Sequence, residues 1–117
     1  MGAQELKRRA QAFGLSIIKL VQALPNSGPA HRIGDQLIRC GTSVGANFRA
    51  ACRARSHPDF VAKLKIVEEE CDESMYWLEM LLSLNLQIAP MIQALLEEGN
   101  QILSITVASI KTARNNS

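Results

Sequence analysis

Apolar residues recur at alternating steps of four and three residues along this chain, and that spacing decides which folds are open to it. Such steps keep every member on one side of an α-helix, whereas a half-buried strand needs strict alternation with a period of two. The spacing therefore predicts amphipathic helices, and the sequence has no stretch of strand-like alternation. The first run consists of Leu6, Ala10, Phe13, Ile17, Leu20 and Leu24.

Three breaks that contain proline divide the chain into four helical segments. They are Pro25-Asn26-Ser27-Gly28-Pro29, Ser56-His57-Pro58-Asp59 and Ile88-Ala89-Pro90. Proline has no N–H and a fixed φ, so it ends a helix or stands in the first turn of the next one. In the second break, Ser56 is the expected N-cap and Asp59 the expected capping-box residue. The predicted helices span residues 3–24, 29–55, 57–86 and 90–114.

Four long helices joined by short connections leave few ways to pack. Short connections place sequential helices side by side in opposite directions, which gives an up-down-up-down bundle. Hydrophobic residues make up 47% of the 117 residues and aromatic residues only 4%, so the core has to be built from aliphatic side chains. The sequence predicts an all-α fold, an antiparallel up-down-up-down four-helix bundle that forms a single domain over residues 1–117.

The second helix carries two unusual features, internal glycines and a polar residue on its apolar stripe. Gly34, Gly41 and Gly45 each cost about 1 kcal/mol relative to alanine inside a helix. Close approach of another helix backbone is the usual compensation, so Gly41 and Gly45 are predicted to be structural or interface residues. Asn47 is predicted to satisfy buried polar groups and to fix register or oligomeric state. The stripe itself is Ile33, Leu37, Cys40, Val44, Asn47, Ala51 and Ala54.

The chain lacks the patterns that would indicate an enzyme or a metal site. A di-iron bundle needs Glu-x-x-His on two of its helices, but Glu69-x-x-Asp72 and Glu70-x-x-Glu73 have the spacing without a histidine. Neither a Gly-x-Ser-x-Gly elbow, a phosphate loop nor a dinucleotide fingerprint occurs. We predict no catalytic residue, no metal and no cofactor.

Hydropathy and cysteine usage indicate a soluble cytoplasmic protein. No apolar run reaches the roughly 18 residues of a membrane-spanning helix, and the start of the chain lacks the apolar stretch of a signal peptide. Cys40, Cys52 and Cys71 are odd in number and have no Cys-x-x-Cys spacing. They are expected to be small buried thiols in a reducing compartment.

Charged residues are distributed unevenly although the net charge is only +2. Residues 29–65 carry seven basic groups against two acidic ones, whereas residues 66–100 carry eight acidic groups and no basic one. At 100° per residue, four arginines of the second helix fall within one arc of about 100°, namely Arg32, Arg39, Arg49 and Arg53. Guanidinium groups bind phosphate through two parallel hydrogen bonds. The candidate nucleic-acid-binding residues are therefore Arg32, Arg39, Arg49 and Arg53, with Lys7, Arg8 and Arg9 as a second contact.

This arginine ridge has a competing explanation in the acidic block. Charged helix faces of opposite sign commonly pack beside each other, either within one subunit or between subunits. In that case the guanidinium groups would be used in ion pairs with the third helix and would be closed to phosphate. The sequence alone leaves both alternatives open.

Two stretches in the second and third helices carry a distinctive set of polar residues. Residues 36–49 read Gln-Leu-Ile-Arg-Cys-Gly-Thr-Ser-Val-Gly-Ala-Asn-Phe-Arg. The second stretch comprises Ser56 to Phe60 with Lys63, Glu70, Asp72, Glu73, Trp77, Leu78 and Glu79. Together they resemble the bacterial four-helix-bundle proteins of the 23S rRNA intervening-sequence family, whose patterns are Q-L-x-R-S-x-x-S-[IV]-x-x-N and S-x-x-D-F-x-x-K…E-x-x-E-x-x-x-W-L-E. Cys40 stands where that family usually has serine, and Ala50 where it usually has a glutamate after the asparagine.

The resemblance implies a bundle that assembles into a ring-like homo-oligomer, typically a pentamer, without a known catalytic activity. Glu73 and Trp77 are then expected to be structural or interface residues. A similar kind of protein, the accessory variability determinant of diversity-generating retroelements, binds nucleic acid and a reverse transcriptase. We therefore predict a non-enzymatic oligomeric accessory factor for RNA or DNA, with a reverse transcriptase or another protein as a further partner. The alternative is an oligomeric protein-binding scaffold with no nucleic-acid role.

Overall fold

The computed structural model describes residues 2–116, and it confirms the predicted all-α fold. The four helices are α1 (Ala3–Gln22), α2 (Gly28–Cys52), α3 (His57–Leu82) and α4 (Ala89–Asn115). They form a rod with extents of 46 × 20 × 19 Å. None of the helices in the described part of the chain is both long and apolar enough to cross a membrane.

The helices are antiparallel to their sequential neighbours, and α1 closes the bundle against α4. A Cβ placed on Gly45 would lie 3.3 Å from the backbone of Ala10, near the start of α1. At the same end, the His57 ring lies 2.7 Å from the carbonyl oxygen of Ala113. The contact between α1 and α4 is the least extensive of the four helix pairs. The connections are short, as the sequence predicts.

The helix boundaries follow the proline breaks, but α2 and α3 both end earlier than predicted, α2 at Cys52 instead of residue 55. The sequence predicts α3 to residue 86, but it ends at Leu82. Asn85 adopts a left-handed conformation with φ of 57°, which asparagine tolerates better than most residues and which stops helical hydrogen bonding. At the other end of α3, the Ser56 hydroxyl accepts a hydrogen bond from the Asp59 N–H at 3.1 Å, so the predicted N-cap is confirmed. The Asp59 carboxylate accepts from the Arg55 N–H rather than from Ser56.

The core is aliphatic, and the α1 stripe predicted from spacing is buried along its whole length. On α2 the buried face is rotated relative to the prediction. Ile33, Asn47 and Ala54 are only half-buried, whereas Gly34, Gly41 and Phe48 are buried. The rotation turns the glycine side of α2 toward α1, because residues without a large side chain let two helices approach closely.

Close packing between α1 and α2 surrounds the internal glycines of these two helices. A Cβ on Gly14 would lie 3.4 Å from the Gly41 carbonyl oxygen, and a Cβ on Gly41 would collide with the Ile17 side chain. Gly41 thus faces an α1 side chain and Gly45 the α1 backbone, and their role as structural or interface residues stays a prediction.

Candidate nucleic-acid interface

Positive charge is concentrated at one end of the rod, where α1 and α3 begin and α2 and α4 end. We call the segments 2–9, 46–67 and 103–116 the basic end. They contain ten of the 13 basic residues but only two of the 11 acidic ones, a net charge of +8. The remainder of the bundle accordingly carries −6, mostly on α3. The overall charge of +2 conceals this separation along the long axis.

A shallow groove runs between α1 and α2 and opens at the basic end. We call it the α1–α2 groove, and its volume is about 490 Å³. Small and aliphatic side chains form its floor and walls, and three cations stand at its basic end. Its lining consists of Lys7, Ala10, Gln11, Gly14, Leu15, Ile18, Thr42, Gly45, Ala46, Arg49 and Arg53.

A second depression, which we call the basic depression, lies on the other side of the Arg49–Arg53 edge, between the end of α2 and the start of α3. Arg49 and Arg53 line both it and the groove. Arg55 and Lys63 complete its cationic lining, and Asp59 is its acidic member. Ala46 and Ala50 form the floor.

The cations around these two surfaces are available for a ligand. In residues 2–116, no carboxylate forms an ion pair with Lys7, Arg49, Arg53, Arg55 or Lys63. Arg55 and Lys63 were not among the sequence candidates, because Arg55 falls outside the arc of the other arginines on the predicted second helix and Lys63 lies on a different helix. The connection between α2 and α3 at residues 53–56 places Arg55 and Lys63 beside the arginines at the end of α2. The antiparallel arrangement predicted for these two helices could have indicated this proximity.

The arginine ridge predicted on α2 is divided in the structure. Arg49 and Arg53 lie at the basic end, whereas Arg32 is exposed in the first turn of α2 at the opposite end. Arg39 contacts the acidic face of α3, with its Nη1 atom 3.5 Å from a Glu70 oxygen and its Nη2 donating to Glu73. The ion-pair alternative therefore holds for Arg39, whereas phosphate binding by Arg49 and Arg53 stays a prediction.

The basic cluster of α1 is divided in the same way. Lys7 is half-buried and lines the α1–α2 groove, and Arg8 is exposed. Arg9 turns toward α4, where its guanidinium donates to both oxygens of Glu98 at 2.6 and 2.9 Å and to the Gln101 side chain at 2.7 Å. This hydrogen-bonded pair raises the pKa of Arg9. Arg9 therefore links α1 to α4, the helix pair with the least extensive contact.

Asn47 is half-buried, and its amide is satisfied within its own helix. Its Nδ2 donates to the Ser43 carbonyl oxygen and to the Ser43 hydroxyl, both at 2.9 Å. No hydrogen bond from Asn47 to another helix occurs in the described residues. A role in oligomeric register stays a prediction.

The described residues contain no group of three or more His, Cys, Asp or Glu side chains that could hold a metal ion. Cys40 and Cys71 are buried, and Cys52 is exposed at the end of α2. The prediction of buried thiols is thus confirmed for two cysteines and wrong for Cys52, which occupies the last helical position, where α2 leaves the core.

Comparison with known proteins places this bundle in a family. The family model described as 23S rRNA-intervening sequence protein matches residues 3–108, which is nearly the whole chain. The chain belongs to this family. The resemblance carried by the two sequence motifs is therefore confirmed.

A solved structure supports the assignment to the 23S rRNA-intervening sequence proteins. A crystal structure at 1.70 Å of a protein of unknown function from the S23 ribosomal protein family of Bacteroides thetaiotaomicron VPI-5482 is similar to this chain, with a TM-score of 0.86 and 31% sequence identity. The match covers 95% of this chain and 99% of that one. Among curated protein sequences, none matches.

Residues of the two motifs hydrogen-bond to one another in this 23S rRNA-intervening sequence protein. Arg39 joins Glu70 and Glu73 across the α2–α3 contact, and the Trp77 indole N–H donates to Glu73 at 3.1 Å. Where the family usually has serine, the Cys40 sulfur accepts a hydrogen bond from the buried Ser74 hydroxyl at 3.2 Å. These contacts connect α2 to α3 away from the basic depression, whereas the motif residues Arg49, Asp59 and Lys63 line it.

The other motif departure has an electrostatic effect at the basic end. Ala50 lies on the floor of the basic depression, among four cationic side chains. A glutamate there would add a carboxylate within reach of those cations, and alanine adds none. The departure leaves the depression more positive than the family pattern implies.

Proposed function

We propose that this protein is a non-enzymatic accessory factor that binds RNA or DNA through its basic end. The observation that carries the proposal is a set of five cations that form no ion pair with any carboxylate in residues 2–116 and that surround two adjoining concave surfaces. They are Lys7, Arg49, Arg53, Arg55 and Lys63. Phosphate backbones are bound mainly by such cations, which displace the counterions of the nucleic acid. Membership of a family named for an intervening sequence of 23S rRNA supports RNA as one target class.

We further propose that the protein acts as a cytoplasmic homo-oligomer, a pentamer by resemblance, and that a reverse transcriptase or another protein binds the assembly. A ring of identical subunits would present several basic ends to one nucleic acid. Linked weak contacts then act through effective concentration, so that a strong site on each subunit is unnecessary. Sequence preference should be slight, because the basic end offers phosphate contacts and no helix shaped for groove reading.

Measurement of binding across a salt series tests the nucleic-acid proposal. Fluorescence anisotropy with labelled RNA and DNA should show affinity that falls as salt rises, with a slope of about −0.7 to −0.9 for each phosphate contacted. Arg49→Glu combined with Arg53→Glu should abolish binding, because it reverses two charges at the edge that both concave surfaces share.

A matched control separates local contact from overall charge. Lys19→Glu combined with Arg32→Glu changes the net charge by the same amount, at two exposed residues of the opposite end. This control should retain most of the wild-type affinity. Absence of binding by wild-type protein at low salt, or equal losses in both double variants, would contradict a site at the basic end and leave the protein-binding scaffold as the better explanation.

A further inference from the structure

The α1–α2 groove contains more apolar surface than phosphate binding requires. Its floor forms where the α1 and α2 backbones touch, with a Cβ on Gly45 only 3.3 Å from Ala10 and one on Gly14 only 3.4 Å from Gly41. Leu15 stands beside this floor with 53% of its surface exposed. The volume of about 490 Å³ lies within the range of pockets that hold small organic groups.

The cations are placed at one edge of this apolar floor rather than around it. Arg49 and Arg53 line the groove on one side and the basic depression on the other. A ligand that fits both surfaces has a flat, largely apolar part for the groove and a chain of anionic groups for the edge and the depression. A nucleotide within a single strand has this form.

We propose that the α1–α2 groove receives an unpaired base of a single-stranded nucleic acid, while Arg49 and Arg53 hold the adjoining phosphates. This inference rests on the function proposed above and specifies its substrate class. The Gln11 side chain lines the groove and supplies an amide for the base edge. Aliphatic walls accept any base, so the site selects for unpaired bases and not for a sequence.

Duplex and single strand respond differently to such a site. Bases in a duplex are stacked and paired, and they cannot enter a groove between two helices without being extruded at an energetic cost. Electrostatics alone favours the duplex, because its charge density and counterion release are greater. Tighter binding to a single strand than to a duplex would therefore measure the contribution of the groove, because electrostatics alone predicts the opposite order.

An abasic oligonucleotide tests the proposal directly because it keeps every phosphate and removes the bases. The probes are an oligothymidylate of about 12 nucleotides, within the range of single-strand site sizes, and an abasic strand of equal length. Wild-type protein should bind oligothymidylate more tightly by roughly fivefold, the effect of removing about 40 Å² of apolar base surface from water. Equal affinity for the two strands would overturn the groove proposal while leaving the proposed function in place. If wild-type protein bound neither strand and also failed to bind RNA and duplex DNA, the proposed function itself would be wrong.

Two variants in the groove and one control outside it test whether the preference for oligothymidylate arises in the groove. Ala46→Leu fills the floor and Leu15→Ser removes the aliphatic wall, and both residues are exposed, so the fold should tolerate each change. Both variants should lose the preference for oligothymidylate over the abasic strand, and Leu15→Ser, at a residue that lines the groove and not the basic depression, should bind the abasic strand like wild type. Ala12→Leu makes the same substitution at an exposed α1 residue beside α4 and should keep the preference. A preference retained in both groove variants would place the base contact elsewhere and overturn the proposal.

Discussion

The three cysteines differ in their surroundings, and those surroundings predict their chemistry. The Cys71 thiol is buried and donates to the Gly99 carbonyl oxygen at 3.3 Å. Burial raises the pKa of Cys71 to about 12, with the negative charge of Asp72 as a smaller cause. Burial also raises the pKa of Cys40. Cys52 is exposed at the last position of α2.

Thiol labelling should therefore distinguish one cysteine from the other two. Near pH 8 the native protein is expected to react quickly at Cys52 alone, and all three thiols should react after unfolding, because the thiolate is the reactive form. The folded-state pKa of Cys71 exceeds the ordinary value of 9.0, so its contribution to stability is complete below about pH 9 and is lost as the pH rises toward 12. Labelling of Cys71 should accelerate over that alkaline range. Fast reaction of two or more thiols per native chain near pH 8 would contradict the burial.

At the scale of single residues, sequence reasoning succeeded where a contact is local. Ser56 was identifiable as an N-cap because its partner lies three residues away. The division of the arginines was not predictable, since Arg39 and Arg49 lie on the same helix and differ only in what the neighbouring helix presents. Glu70 and Glu73 reach Arg39, whereas α3 presents Lys63 to the depression beside Arg49.

At the scale of helices, the α1–α2 contact depends on glycine for its short separation. A Cβ on Gly45 would lie 3.3 Å from the α1 backbone, and backbone cannot move aside as the end of a flexible side chain can. Helix positions and lengths were predictable, because periodicity and proline determine them. The rotation of α2 was not, since spacing alone does not show that a glycine face packs more closely than an aliphatic one.

Gly45→Val should destabilise the bundle by about 1–3 kcal/mol, the usual cost of overpacking. Helix propensity works in the opposite direction, because valine is a better helix former than glycine. Urea denaturation monitored by circular dichroism measures the difference. Ala46→Val is the control, because it introduces the same side chain at the next, exposed residue and should cost less than 1 kcal/mol or so. A variant at Gly45 as stable as wild type would show that α1 can shift without penalty.

At the scale of the whole molecule, several large apolar side chains remain on the surface of a single chain. Three of them follow one another along the outer part of α3 and its end. Exposed apolar residues grouped in this way are typical of protein–protein contacts. They are Tyr76, Met80 and Leu84, with 54%, 42% and 46% of their surfaces exposed.

Light scattering coupled to size exclusion should therefore give a mass several times the 12.8 kDa of one chain. A heterologous contact between an acidic, apolar face and a basic face closes into a ring when the rotation between subunits allows it. Tyr76→Ser combined with Met80→Ser should reduce the mass while circular dichroism keeps its helical signal. The mass of a single chain for wild-type protein at micromolar concentration would contradict the assembly.

The separation of charge along the rod also affects how the molecule behaves as a solute. A protein with a calculated isoelectric point near 8.6 would ordinarily be retained weakly by a cation exchanger at neutral pH. Here the basic end, with a net charge of +8, offers a cation exchanger one concentrated binding surface. The remainder of the molecule, with −6, can bind an anion exchanger. The molecule carries a large permanent dipole along its 46 Å axis. Near a polyanion the molecule should orient before contact, so that the ends of α2 and α4 approach first and the acidic side of α3 faces the solvent.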